Sequence, residues 1–337
     1  MIEENISLLP YNTFGIDVQA QYFSRFSNTD ELQTVLNQQR SPKLLTIGGG
    51  SNILLTQDFA GLVLKNEIKG IQLLSEDTEF YYVKAGGGEL WHQFVLHCIS
   101  QNYAGLENLS LIPGCVGASP MQNIGAYGVE VKDTFHALEA FHIYDQRVDT
   151  FYLDDCHFGY RESVFKNKYK GQYIILNVTY RLRKTPVFHT TYGAIQQQLE
   201  TMHLHDVSIK AISDAVVAIR SSKLPDPARI GNAGSFFKNP TIPKEQFVQL
   251  EKRFPDIKGF PAPDHSADVK VAAGWLIEKA GWKGYRDGNI GVHAHQALVL
   301  VNYGGGTGKN ILALSSKIIE SIQDKFGIAL EREVNVV

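Results

Sequence analysis

Cysteine is scarce in this chain, with three in 337 residues. Cys98, Cys115 and Cys156 are odd in number and never spaced as C-x-x-C, which argues against a disulfide framework or a cysteine zinc site. No apolar run approaches the ~20 residues that a membrane-spanning helix needs. A basic surplus is missing as well: 32 Lys and Arg face 35 Asp and Glu, a formal charge of −3. Chains that neutralise many phosphates carry such a surplus, so non-specific nucleic-acid binding is not expected. The opening Met1-Ile-Glu-Glu-Asn5 lacks the basic-then-apolar pattern of a signal peptide. The expectation is a cytoplasmic protein with neither membrane nor nucleic acid among its partners.

What is present is apolar sequence (44%) and glycine. Thirteen of the 30 glycines fall between Gly48 and Gly128, with no G-x-y period that would indicate a collagen-like chain. The length suggests two or three domains. Strands are predicted at Leu44–Ile47, Ile53–Leu55, Leu62–Leu64 and Tyr81–Ala85. Apolar residues at helical spacing predict a helix over Glu89–Gln101, followed by a long irregular loop from about Gly105 to Asp133. Loops longer than ~12–15 residues in a compact protein tend to be functional or disordered, and this one is too apolar for disorder. Further strands are predicted near Ala137–Tyr144 and Tyr173–Leu182, and helices near His189–Met202 and Val207–Ser222. Pro225 and Pro227 mark a boundary. Helices at Lys244–Arg253, Val269–Ala280 and Lys309–Phe326 and strands at His293–Asn302 and Leu330–Val336 complete the pattern. The irregular mixture indicates α+β rather than a doubly wound parallel sheet.

Two glycine clusters carry the chemical signal. Gly48-Gly-Gly-Ser-Asn52 follows a strand; glycines let backbone N–H groups converge on an anion, and Ser51 and Asn52 add side-chain donors. An ordinary tight turn explains the run equally well. It does not open a helix, which disfavours a Rossmann site. The second cluster runs from Pro113 through Gly114, Ser119, Gln122, Asn123 and Gly125 to Gly128. Its small residues would let backbone approach a flat, phosphate-bearing ligand, and its amide and hydroxyl donors are more than a packed surface loop requires.

These clusters, in order with Phe158-Gly-Tyr-Arg-Glu-Ser163, Lys223-Leu-Pro-Asp-Pro227, Gly231-Asn-Ala-Gly-Ser-Phe-Phe-Lys-Asn-Pro240, Ala273-Gly-Trp-Leu-Ile-Glu278 and Leu330-Glu-Arg-Glu-Val334, resemble the UDP-N-acetylenolpyruvoylglucosamine reductase family. Thr191-Tyr-Gly-Ala194 is similar to the tyrosine-bearing insertion of its type I members. The resemblance implies a PCMH-type two-part FAD-binding region plus a C-terminal α+β substrate-binding domain. The implied boundaries are 1–70 and 71–222 for the FAD-binding subdomains, 223–328 for the substrate domain and 329–337 for a last strand. It implies non-covalent FAD, NADPH as co-substrate, and hydride transfer by way of the flavin to UDP-N-acetylglucosamine enolpyruvate. The implied product is UDP-N-acetylmuramate, a peptidoglycan precursor, and the expected enzyme is a cytoplasmic monomer.

The residue roles likewise come from the resemblance. Arg161, Ser235 and Glu333 match the catalytic positions: the arginine for the substrate carboxylate, the serine as proton donor to C2, and the glutamate beside the enol-like intermediate. Glu331 and Glu333 are both acids of the last strand, and only the resemblance selects Glu333. Gly48, Gly49, Gly50, Ser51, Asn52, Pro113, Gly114, Ser119, Gln122, Asn123, Gly125 and Arg220 match the cofactor side; Tyr192, Lys223, Asn239 and Gln296 match the substrate side. Asn335 stands where relatives often have arginine, which leaves open how the last strand closes. Gly304-Gly-Gly-Thr-Gly-Lys309 is not a P-loop, because Tyr303 and Asn310 break the pattern. His293 and His295 are read as structural, with no metal expected. Two rivals remain: an oxidase of the same flavoprotein superfamily, and a non-catalytic nucleotide-sugar binding module. Ser51 and Asn52 stand near where such oxidases carry a flavin-linked histidine, which disfavours the first.

Overall fold

Tyr173–Arg183, rich in β-branched and aromatic residues, forms the central strand of a five-stranded antiparallel sheet. The order across the sheet is Arg147–Tyr152, Phe135–His142, Tyr173–Arg183, Phe80–Gly86, Ile71–Glu76. Asn177 faces Glu139 and Ile175 faces Ala140, so Leu176 is an extra residue on the central strand. One extra residue shifts the inside-outside alternation. Val178, Tyr180 and Leu182 therefore pack with Trp91, Phe94 and Val95 of the helix Trp91–Ser100. Ile174 and Leu176 pack instead with Phe26, Leu32, Val35, Leu62 and Leu64. Those residues belong to the helix Thr29–Gln38 and to a second sheet, in the order Glu3–Ser7, Gln19–Phe26, Phe59–Asn66, Leu44–Ile47.

This is a computed structural model that describes residues 1–38, 41–191, 194–204, 206–262 and 266–337. The elements above fall in one compact unit, Met1–Ile6, Ala20–Gly49 and Ala60–Ser222, apart from Ser7, Gln19 and Phe59 at strand ends. The other unit is Ser7–Gln19, Gly50–Phe59 and Lys223–Val337, so residues 1–70 supply segments to both. In the second unit a sheet runs in the order Gly231–Asn232, Leu300–Asn302, Ile290–Val292, Arg286–Asp287. The helix Gly308–Phe326 buries Ile311, Leu314, Ile318 and Ile322, every third or fourth residue. Thr307 caps it by accepting the Asn310 N–H at 3.2 Å, and Gly327 ends it at φ 68°. The glycine-lysine run is thus the lead-in to a helix, as its failed P-loop pattern indicates.

Several expected elements are corrected. Val269–Ala280 is not one helix: Val269–Val271 is a strand paired with Thr241–Ile242 and Gly259–Pro261, and the helix is Ala273–Lys279. Cross-strand pairing has overridden the local helical spacing. His293–Asn302 is a strand only over Leu300–Asn302; residues 293–299 turn back from the preceding strand Ile290–Val292. The expected helix His189–Met202 is confined to Ile195–Thr201. The last segment is an Arg332–Phe237 bridge followed by Asn335–Val336, which runs parallel to Ile53–Leu54. Asn335 donates from its side chain to the Asn52 carbonyl at 3.1 Å, which is how the last strand closes without an arginine there.

All three cysteines are free and buried. Burial pushes the Cys156 thiol up to about 12 and moves Cys98 and Cys115 in the same direction. Among the described residues no helix is long and apolar enough to cross a membrane, and no cluster of three His, Cys, Asp or Glu could hold a metal ion.

Candidate active site

In the first unit the strand Leu44–Ile47 delivers Gly48 and Gly49 against the second glycine cluster. A Cβ on Gly49 would lie 2.9 Å from the Gly114 Cα, and one on Gly48 would lie 3.1 Å from the Cys115 Cβ. The two clusters meet backbone to backbone, which side chains would prevent. The Lys65 ammonium donates to the Gly48 carbonyl. Gly86–Gly88, between the strand Phe80–Gly86 and the helix Trp91–Ser100, is also a close backbone junction: added Cβ atoms would meet Ile68, Ile175 and Glu67 backbone at 2.5–2.7 Å.

The expected loop donors separate into two kinds. The Ser119 side chain is 1% exposed, and its hydroxyl is hydrogen-bonded to the Tyr180 hydroxyl at 2.7 Å. Asn123 is fully buried; its amide donates to the Gly159 carbonyl and to Glu130, and its oxygen accepts the Lys132 N–H at 3.0 Å. Both side chains hold the loop itself, so backbone groups are what they leave for a ligand. Gln122 is half-buried and Pro113 exposed.

Arg161 sits at the tip of the tight Gly159–Glu162 turn, closed by N–H to carbonyl bonds in both directions at 3.0 and 3.2 Å. Its φ of 58° is one that non-glycine residues seldom adopt. Such strained positions persist where the surroundings over-determine them, and they concentrate at functional sites. Asn123 (φ 45°) and Tyr127 (φ 50°) share the feature nearby in the loop. The Arg161 guanidinium donates to the Gly125 carbonyl at 2.7 Å, which fixes it to the end of the glycine cluster.

Arg220 comes from the helix Ile209–Lys223 and donates from Nε to the Leu111 carbonyl at 3.3 Å. It makes no ion pair among the described residues. Burial lowers its proton affinity; Tyr127 acts the other way, and the nearby Arg161 cation lowers it further. A half-buried cation with no carboxylate beside it among the described residues is suited to an anionic ligand. Sequence reading did not single out Tyr127, whose left-handed backbone and proximity to Arg220 have no signature in residue type.

The second unit carries Gly50, Ser51 and Asn52. At φ 60°, with the Tyr11 carbonyl 1.9 Å from where a Cβ would stand, residue 50 accepts only glycine. Asn52 donates to the Glu333 carbonyl at 3.3 Å. Around the Phe237–Arg332 bridge, Lys238 N–H donates to Glu331 and Glu333 N–H to Phe236, at 2.9 and 2.8 Å. This pairing sets Glu333 one residue across from Ser235. Spacing cannot separate Glu331 from Glu333, because residues two apart on extended chain share a face. Their partners do: Glu331 is exposed and ion-paired to Lys238 at 2.6 Å, whereas Glu333 is half-buried.

Buried Asn232 shapes the serine turn by accepting the Gly234 N–H at 3.0 Å and donating to Pro225 and Ile230 carbonyls. Ser235 itself is half-buried, and its hydroxyl has no hydrogen-bond partner among the described residues. Asn239 accepts the Ala273 N–H at 2.9 Å, and Gln296 lies at the same helix start, its Oε1 3.4 Å from a Gly274 Cβ position. Lys223 is exposed. Tyr192 lies outside the described residues. His293 and His295 stack edge to face at 5.6 Å.

Comparison with known proteins matches residues 20–146 to an FAD binding domain and residues 226–337 to the C-terminal domain of UDP-N-acetylenolpyruvoylglucosamine reductase. A protein of that name from Flavobacterium johnsoniae is 49% identical over 100% of this chain and 99% of its own. The chain belongs to the UDP-N-acetylenolpyruvoylglucosamine reductase family. Another member, from Amoebophilus asiaticus, is 51% identical over 100% of this chain and 99% of its own. The crystal structure of the reductase from Thermus caldophilus shares the fold, with a TM-score of 0.70 at 22% identity over 100% and 99% of the two chains. The α+β, two-part architecture expected from the sequence is that of the family. The protein is an oxidoreductase, and its cofactor is FAD. The residues present fit that group: the glycine backbones of 48–49 and 114 meet without side chains between them, and Arg220 is a half-buried guanidinium that no carboxylate among the described residues neutralises, suited to a diphosphate.

Proposed function

We propose that this chain reduces UDP-N-acetylglucosamine enolpyruvate to UDP-N-acetylmuramate with NADPH as the reductant, working in the cytoplasm as a monomer. The single observation that carries the mechanism is the Ser235 hydroxyl, half-buried and without a hydrogen-bond partner among the described residues, in a turn paired to the segment bearing Glu333. FAD, once bound and reduced by NADPH, would supply the hydride chemistry at C3 of the enolpyruvyl group. Charge then develops at C2 and spreads into the substrate carboxylate. Arg161 is the cation for that carboxylate, because a planar guanidinium meets it with two parallel donors. Ser235 gives its Oγ proton to C2 and regains one from solvent. A serine is a weak acid, and a carbanion-like centre is basic enough to take its proton when the geometry is right. Glu333 steadies the enol-like form, and Lys223, Asn239, Gln296 and Tyr192 hold the nucleotide sugar. Gly48–Asn52, Pro113, Gly114, Ser119, Gln122, Asn123 and Gly125 line the cofactor, Ser119 and Asn123 through their backbones.

The test is to add the enolpyruvyl nucleotide sugar to the NADPH-reduced protein. The flavin absorbance should return with the enolpyruvyl compound and stay bleached with its saturated analogue. A colourless protein that consumes no NADPH would instead establish a binding module. Flavin that remains attached after acid precipitation would favour the oxidase reading.

A further inference from the structure

Leu111 is a bulky residue at φ 58°, two positions before Pro113 and Gly114. Leucine does not hold that conformation unaided. Both sides of its backbone are fixed by side chains from two different helices. The Leu111 N–H donates to His92 Nδ1 at 3.0 Å, and the Leu111 carbonyl accepts Arg220 Nε at 3.3 Å. Arg220 spends only Nε on this bond; its Nη donors have no partner among the described residues. The direction in which they point follows from where the Leu111 carbonyl is held.

We propose that His92 is a positioning residue for the cofactor anion: by accepting the Leu111 N–H it holds the strained Leu111 backbone whose carbonyl aims the Arg220 guanidinium. The proposal rests on the reading that Arg220 serves the FAD diphosphate. The device needs neutral imidazole with Nδ1 as acceptor. Burial, and then Arg220, hold His92 below the ordinary histidine value, which favours that form. Arg220 is the charged group that bears on His92 among the described residues.

The readout is release of FAD from the full-length holoenzyme on dilution, followed by flavin fluorescence rather than by turnover. His92→Phe keeps the ring volume and removes the acceptor; it should weaken FAD binding about tenfold, equivalent to ~1.4 kcal/mol. His92→Asn restores an acceptor near the Nδ1 position and should stay within about twofold of wild type. In an Arg220→Met background, itself weakened, His92→Phe should add nothing, because both changes act through one group. His92→Gln, whose amide reaches the Nε2 position instead, replaces the phenylalanine should that variant not fold. Equal losses for phenylalanine and asparagine, or additive losses with Arg220→Met, overturn the role of His92. Wild-type affinity in His92→Phe overturns it too, while a weakened Arg220→Met leaves the Arg220 reading standing. Wild-type affinity in Arg220→Met overturns that reading and the proposal with it.

Discussion

Two serines lie in glycine-containing loops of this chain, and they are used in opposite ways. Ser119 is buried and bound to the Tyr180 hydroxyl, within a sheet-and-helix core. Ser235 is half-buried, and its turn is shaped by another side chain, Asn232, so that its own hydroxyl is not needed for the fold. Residue type and glycine neighbours are alike; what differs is which group meets the backbone's hydrogen-bonding needs. A loop can keep a reactive hydroxyl uncommitted only if some other residue organises it.

The largest effect should come from removing the uncommitted hydroxyl. Ser235→Ala should lower kcat by roughly 10²–10⁴-fold, the usual worth of general-acid help. NADPH should still bleach its flavin at the wild-type rate in a stopped-flow trace, and its unfolding midpoint should not move. Wild-type turnover would remove the distinction between the two serines. Ser119→Ala should act on stability instead, because it strands the buried Tyr180 hydroxyl. A loss of ~1–3 kcal/mol is expected in denaturant unfolding, with kcat far less affected than in Ser235→Ala. A kinetic loss without a stability loss would mean that the Ser119 hydroxyl serves a ligand after all.

The smallest effect concerns Glu107, a 2% exposed carboxyl near the start of the loop that contains Ser119. Burial raises it above its ordinary 4.5, although the Gly105 N–H, at 2.7 Å, pulls the other way. The folded chain thus favours the protonated form. That contribution is complete below 4.5 and is lost as pH rises through the raised folded value. Glu107→Gln does not titrate, so it should gain stability on wild type as pH rises above 4.5 and level off once pH has passed the raised folded value. Parallel pH profiles for the two proteins would show that Glu107 is not held by burial.

Much of this was legible in residue order, for identifiable reasons. Leu44–Ile47 and Lys244–Arg253 appear with the expected bounds because their flanking turns and periodicity agree with their packing. The polar-interrupted strand Gln19–Phe26 and the helix Thr29–Gln38 were not foreseen, since Gln19, Gln21, Ser24 and Arg25 dilute any pattern. Val269–Val271 was misread because its partners lie some 10 and 28 residues upstream, outside any local window. At the candidate site, motif order picked out Arg161, Ser235 and Glu333. It could not say that the Ser119 and Asn123 side chains are turned to the fold, or that Leu111 takes a left-handed backbone. Those facts depend on residues distant in sequence, namely Tyr180, Gly159, His92 and Arg220.

The three buried cysteines have a practical consequence. Thiol reagents attack the thiolate, and burial keeps each of these sulfurs both protonated and out of reach. The native chain is therefore a silent background for maleimide chemistry. A single cysteine introduced at an exposed position such as Val187 or Tyr144 could carry a fluorophore or spin label without first removing Cys98, Cys115 or Cys156. Those core sulfurs would stay in place while distances across the working enzyme are measured.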